Sequence, residues 1–520
     1  MRRTSIGVIS ALAVALCDGR PSFAQSAPVG LTGAPALAKA YDSILDARFE
    51  RAEAELGVAC QTAPREACDV LDVAAMWWTI QLEPESLALD AEFSRRVETA
   101  IASAEDWAAR EPSRAEAWFY LGAAYGSRVQ WRVLRNEKLL AARDGKRIKE
   151  ALEHALSLDP DLEDAHFGIG LYRYYADVAP AAAKVLRWIL FLPGGDRKKG
   201  LLEILRAHER GELLRGEASY QLHLLYLWYE QQPARALDLL ESLRARYPHN
   251  PLFLQRIGEV QDVYLHDHPA SLKTFRTLLQ AARDERVAAP EVAEVRARMG
   301  TAEQLDALFE TDLAIDHLRA VVDARPEAPH GALARSELQL AAAYDRLGER
   351  ELALTNYRAA LDDAVRDDAS GTRERAVAAM KRRPNARTAE AYRLSLEGWR
   401  ALERGRVEEA RSSLTRSLAL KPDDPVTRFR YAKLRARSDA AGALAEYEAI
   451  IRSRPPIPPT ILASSCLEAA RLFERSGQRD RAVERYRDTI RIAGSEPHTR
   501  EAAAQALARL HARSSTQSAR

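Results

Sequence analysis

Charge of one sign, cysteine and long apolar runs are all scarce in this chain. Over 520 residues, 76 basic side chains meet 75 acidic ones, for a formal net charge of +1. With the two signs scattered throughout, no global field draws in nucleic acid or an anionic membrane, so nucleic acid is not an expected partner. The spacings that carry catalysis are missing as well: there is no GxxxxGK phosphate loop, no GxSxG elbow, no HExxH, no CxxC and no GxGxxG after a strand pattern. Paired carboxylates abound, but 75 acids place such pairs everywhere and point to no site. The chain reads as non-enzymatic, with no cofactor.

The longest apolar stretch near the start, Ile6 to Cys17, follows Met1-Arg2-Arg3 and precedes Pro21-Ser22-Phe23-Ala24. Charged start, apolar middle and small-residue end read as a signal peptide over residues 1–24, cut before Gln25. The stretch is shorter than the ~20 residues needed to span a bilayer. The expected destination is the periplasm or cell envelope of a bacterium, in keeping with a basic complement that is mostly Arg. Beyond the leader only Cys60, Cys68 and Cys466 remain. Cys60 and Cys68 flank a short Pro-containing stretch between two helical patterns, so they form either a loop disulfide or two buried thiols, and the oxidising compartment favours the disulfide. Cys466 falls at a helix-packing position and reads as a small core residue.

What the chain does have is a helical ruler. Ala353-x3-Tyr357-x2-Ala360, Ala410-x3-Leu414-x2-Ser417 and Ala482-x3-Tyr486-x2-Thr489 repeat one small–large spacing on separate segments. Small positions let two helices approach and large ones fill the gap. Helical hairpins carrying such a ruler bury their apolar faces only against neighbouring hairpins, which makes an array the expected architecture and partner binding its default activity. Glu337, Leu340, Ala341, Tyr344 and Gly348 open the cleanest unit. Leu394, Gly398, Ala401 and Gly405 open its neighbour; Tyr431, Ala443 and Tyr447, then Cys466, Ala470, Phe473 and Gly477, mark two more. Upstream, Trp118, Leu121, Gly122 and Tyr125 open a unit whose two helices are each lengthened by about two turns, which keeps the apolar stripe in phase. An insert lies between Gly170 and Gly200, punctuated by Pro180 and Leu192-Pro193-Gly194-Gly195-Asp196, and reads as an added helix and a turn.

On these residues the stretch from about 70 to 495 resembles the tetratricopeptide repeat (TPR) family, as bacterial exported proteins of that type. The segment Leu190-Phe-Leu-Pro-Gly-Gly-Asp-Arg-Lys-Lys-Gly-Leu-Leu202 is locally similar to a turn of the tetratricopeptide repeat 39 (Iml2-like) family. The first resemblance implies an all-α, TPR-type α-solenoid wound as a right-handed superhelix. The expected divisions are a signal peptide at 1–24, N-terminal helices with a degenerate unit and the Cys60/Cys68 loop at 34–112, and units with two inserts at 113–285. Further units follow at 290–365, then a polar connector at 366–386, C-terminal units at 387–495, a capping helix at 496–513 and a disordered tail at 514–520.

The resemblance also implies which positions of each first helix face a concave groove. In the N-terminal half these include Phe119, Phe167, Tyr174, Tyr175, Gln221, Trp228, Tyr229, Gln255 and Glu259, a density of rings far above the chain average of 7%. Tyr and Trp in a groove give large contact area at low entropy cost. The alternative is that the inserts cover the groove and the rings are core. In the C-terminal half the same positions hold Asp345, Arg346, Tyr392, Trp399 and Glu403, a mixed-charge surface suited to a polar ligand. The function implied is a scaffold or adaptor holding a protein or peptide segment. Its rival is a peripheral envelope factor touching membrane through a basic amphipathic helix from Arg128 to Arg147 and the apolar run Leu186 to Leu192. Finally, Glu259, Asp262 and His266 would share a helix side as a metal site if that helix continued, but Pro269 puts His266-Asp267-His268 at a turn, so no metal is expected.

Overall fold

The computed structural model describes residues 30–179, 194–364, 371–453 and 456–518, with side chains to 512. Among these residues there are 24 α-helices and no strand. Both the expected signal peptide and the helix expected after Pro180 lie outside the described residues. So do the first four residues of the Leu190–Leu202 stretch; from Arg197 that stretch is the start of helix Arg197–Arg210.

The ruler works as packing. In helix Arg350–Asp362, Ala353, Tyr357 and Ala360 are all buried; Ala410, Leu414 and Ser417 are buried in Val407–Leu420, and Ala482, Tyr486 and Thr489 in Arg479–Arg491. The same spacing recurs as Ala443, Tyr447 and Ile450, as Ala314, Leu318 and Val321, and as Ala236, Leu240 and Leu243. Glycines on the first helices receive the large residues. A Cβ on Gly398 would stand 2.6 Å from Leu414 Cγ, and the ring of Phe275 lies between Gly258 and Gly300, where a Cβ would meet it at 2.8 and 2.5 Å. Gly170 and Gly200 bring two backbones together: a Cβ on Gly200 would fall 2.6 Å from the Gly170 carbonyl oxygen.

Helices Ala115–Leu134 and Lys138–Leu158 run 20 and 21 residues and form the elongated hairpin that the phase-keeping insertion requires. The chain reverses at Asn136, in the left-handed region at φ 61°, so the basic stretch from Arg128 to Arg147 is two antiparallel helices rather than one. Its cations are largely neutralised within the fold. Arg128 donates to Asp144 (2.9 and 2.7 Å) and Glu98 (2.6 Å), Arg132 pairs with Asp144, Arg135 donates to Asp90 (2.6 Å), and Arg147 pairs with Glu105. The basic membrane face expected here is therefore corrected: these charges hold helices together.

Two boundaries also change. The expected polar connector at 366–386 contains helix Thr372–Lys381, anchored by buried Thr372 and Ala376. The final helix, Pro497–Ser518, continues through residues expected to be a disordered tail, and Ala503, Ala506 and Leu510 seat it on the last hairpin. The C-terminal array folds back on the middle of the chain: buried Arg430 donates to the Phe309 carbonyl (2.6 Å), Arg400 to Asp312 (2.7 and 2.8 Å), and Thr311 bonds Tyr392 (2.8 Å).

Candidate functional site

The inner face of the N-terminal hairpins is occupied by the chain's own beginning. From Gly30 the backbone runs along the first helices of successive hairpins: Gly30 N donates to Asp159 (3.0 Å), and Thr32 gives its N–H and hydroxyl to Glu116 (2.7 and 2.9 Å). Helix Ala34–Leu45 then lies against Arg215–Trp228 and the turn after residue 246. Tyr41 donates to Glu217 (3.1 Å), Tyr247 to Asp42 (2.6 Å), and Asn250 to the Leu45 carbonyl (2.8 Å). Helix Arg65–Leu82 completes the filling. Trp77 donates to Gln130 and Trp78 to Glu217, each at 3.1 Å, while the Trp78 ring packs edge-on against Tyr220 and Phe253 at 5.1 and 6.3 Å. Glu85 extends the same contact to Arg296 at 3.3 Å. Burial, with no cation alongside, raises the Glu217 carboxyl above the ordinary glutamate range, and Tyr41 is raised by burial and then by Glu217.

This placement corrects much of the expected groove. Phe119, Phe167, Tyr174 and Gln221 are buried: they are core, with Gln221 donating to Gln130 (3.1 Å) and Tyr174 to Glu230 (2.5 Å). Tyr175 is half-buried in a ring triad with Tyr174 and Tyr229, centroids 5.8–5.9 Å apart. Gln255 and Glu259 bond each other at 2.8 Å and are held further by Arg296 and Arg256. Only Trp228 and Tyr229 of that set stand in solvent. The reason is physical: the entering segment reaches Glu217, Tyr220 and, through Gln130, Gln221, while Tyr174 and Tyr175 pack against Tyr229 and the start of helix Arg197–Arg210. On that entering segment the Cys60 and Cys68 sulfurs lie at disulfide distance, 2.01 Å, with the Cα atoms 6.1 Å apart, while Cys466 is a buried thiol.

Ahead of His266 the helix widens into a π turn, Val260–Tyr264, and His266 takes φ 54°. Glu259, Asp262 and His266 do not converge. Asp262 instead accepts from His268 (3.1 Å), and no group of three His, Cys, Asp or Glu among the described residues is arranged to hold a metal ion.

An inner face does stay open further along. A cavity of about 590 Å³ lies between helices Pro290–Ala307, Thr311–Ala324, Ala332–Leu347, Arg350–Asp362 and Thr372–Lys381. Its floor is small and apolar, with Ala302, Ala314, Ala342, Ala343 and Ala379; its rim is charged. Asp306 pairs with Arg346 (2.8 Å), and Asp345 is held by Arg350 (2.7 and 2.8 Å) and by the Tyr357 hydroxyl (3.2 Å). Burial, with Asp345 beside it, pushes the Tyr357 phenol up to about 12. Arg375 and Arg382 also line the cavity, and neither side chain has an ion-pair partner among the described residues. Gln339 leaves a buried Oε1 without a hydrogen-bond partner there. Two of these residues, Asp345 and Arg346, were readable as groove positions. Arg375 and Arg382 were not, because they sit on the helix that the sequence presented as a connector.

No protein-family model matches the chain, and no curated protein matches it. Among solved structures it is similar to a tetratricopeptide repeat protein from Parabacteroides merdae, at 15% identity over 55% of this chain and 97% of that one, with a TM-score of 0.24. It is also similar to the apo form of RapI (13% identity, 88% of this chain and 96% of that one, TM-score 0.28) and to a chain of the Naa15/Naa10 complex bound to HypK-THB (15%, 91% and 65%, TM-score 0.29). The type of unit is set by the chain's own packing: with a small, a large and a small or β-branched residue buried at one spacing in successive second helices, the described residues form an all-α solenoid of tetratricopeptide-type hairpins.

Proposed function

We propose that this protein is an exported, non-catalytic scaffold that holds a segment of a partner protein in the cavity between residues 302 and 384. The observation that carries the reading is the contrast in charge pairing within that cavity. Its aspartates are matched by Arg346 and Arg350, while Arg375, Arg382 and the orphaned Gln339 oxygen still have bonds to offer. An extended segment lies on an alanine floor without steric cost, and buried polar groups left unpaired favour a ligand that satisfies them. The export rests on the leader-like residues 1–24.

The test is capture from the native envelope. The full-length protein and an Arg375→Glu/Arg382→Glu double variant are cross-linked in place and their adducts identified by mass spectrometry. A partner protein retained by the parent chain and lost from the variant, at unchanged helicity, supports the reading; identical adducts from both contradict it.

A further inference from the structure

We propose that the edge of the solenoid formed by the C-terminal ends of helices Arg215–Trp228 and Pro251–Glu259 is a docking surface for an anionic lipid membrane. At that edge Trp228 is 57% exposed and Tyr229 36%, and in the next hairpin Val263 and Tyr264 stand out at 61% and 38%. Trp and Tyr combine an apolar body with a hydrogen-bonding tip, which suits the boundary between headgroups and acyl chains better than water or a dry core. Trp228 and Tyr229 are exposed although the segment that fills the inner face covers residues of their own helix, Gly216 to Gln221, so this rim is a surface separate from that filled groove.

Charge at the edge has the matching sign. Helix Arg197–Arg210 starts beside Tyr229, with the Arg197 side chain bonded to Glu230 (2.9 Å) and to the Tyr229 carbonyl (3.0 Å). The acids nearby are already engaged: Glu230 by Arg197 and Tyr174, Asp177 by the Arg197 N–H (3.1 Å), and Asp196 by the Lys199 N–H (3.0 Å). The exposed ammonium groups of Lys198 and Lys199 are left to face an anionic surface. The chain leaves the described structure at Ala179 and returns at Gly194 at this same place, where Asp196 N donates to the Arg173 carbonyl (3.0 Å). No helix among the described residues is long and apolar enough to cross a membrane, and the contact proposed is with its surface. It does not depend on the central cavity.

Co-sedimentation of the full-length protein with vesicles of phosphatidylcholine and phosphatidylglycerol tests it. The expected result is binding that weakens in high salt and is at least tenfold poorer with phosphatidylcholine alone. Trp228→Ala/Tyr264→Ala should lower binding at least tenfold, and Lys198→Glu/Lys199→Glu should remove its salt-sensitive part. Leu352→Ala, an exposed apolar residue elsewhere, should change nothing. All these positions are exposed, so circular dichroism should match the parent. A parent protein that stays in the supernatant overturns the proposal, as do rim variants that sediment like the parent, or a Leu352→Ala loss equal to theirs. Cross-linking from position 228 to a protein, without vesicle binding, also overturns it and assigns the edge to a protein contact.

Discussion

The N-terminal hairpins, from Ala115 to Arg283, and the central ones, from Pro290 to Lys381, are built from the same unit and treat their inner face in opposite ways. In the first set, residues 30–85 lie along that face and place Tyr41, Trp77 and Trp78 on Glu217 and Gln130. In the second, nothing from the described chain enters, and the face is a charged cavity. The turns differ too. Three of the hairpins from residue 332 onward reverse at Gly348, Gly405 and Gly477, with φ of 75–86°, where glycine adopts the left-handed region without strain. The N-terminal turns use Asn136, Gln231 and His266, all at positive φ with a Cβ to accommodate, and the first central hairpin does the same at Phe309. A repeat unit therefore does not by itself make a binding groove; what decides is whether another part of the chain already occupies it.

The largest break in this comparison should come from Trp78→Ala, which empties a fully buried site between Tyr220 and Phe253. A loss of about 3–5 kcal/mol is expected from chemical unfolding, by the usual cost of deleting a large core ring. Next is the clip: reducing Cys60–Cys68 should cost about 2–3 kcal/mol by loop closure, and non-reducing peptide mapping should find the two linked. A shift in stability with no such link in the parent would sever that attribution.

Titration gives a smaller and more selective effect. Glu217 and Glu337 both have raised carboxyls through burial, Glu337 to about 7 with Asp363 adding to it. A raised acid favours the protonated folded state, so its contribution is complete below the ordinary glutamate range of about 4.3 and is lost as pH rises through the folded value. For Glu337 that loss falls between about 4.3 and about 7. Glu217→Gln and Glu337→Gln should each stabilise relative to the parent at pH 8, for Glu337 on the order of 1 kcal/mol, with the advantage vanishing near pH 4. Thermal melts across that range check it. The smallest effect belongs to the open cavity: Arg375→Ala with Arg382→Ala should move stability by no more than about 0.5 kcal/mol, since both side chains are exposed.

The fold was legible because the Ala-x3-Tyr-x2-Ala spacing is local, and Gly398 or Gly348 announces a close crossing or a turn without knowledge of distant residues. Most of the groove assignment was not. Gln221 occupies a position that faces inward, but its surroundings include Trp77 of the entering segment across Gln130, and nothing in the helix that carries it records that contact. A signal existed on the other partner: helix Arg65–Leu82 buries Ala67, Val70, Leu71, Val73, Ala74, Trp77, Trp78 and Ile80, more than one face of it, which marks a helix surrounded by others. Arg375 and Arg382 escaped for a different reason, since a polar ten-residue helix anchored by Ala376 resembles a linker in composition.

The central claim is that one inner face is filled by its own chain and the other is open, and photo-cross-linking from two positions tests it most directly. With a photoreactive residue at Gln221 or at Gln339 in the full-length protein within its envelope, position 221 should give only intramolecular adducts, to residues 30–85 and to the helix carrying Gln130, and position 339 should give adducts to another protein. Intermolecular adducts from position 221, or purely intramolecular ones from position 339, would contradict the account.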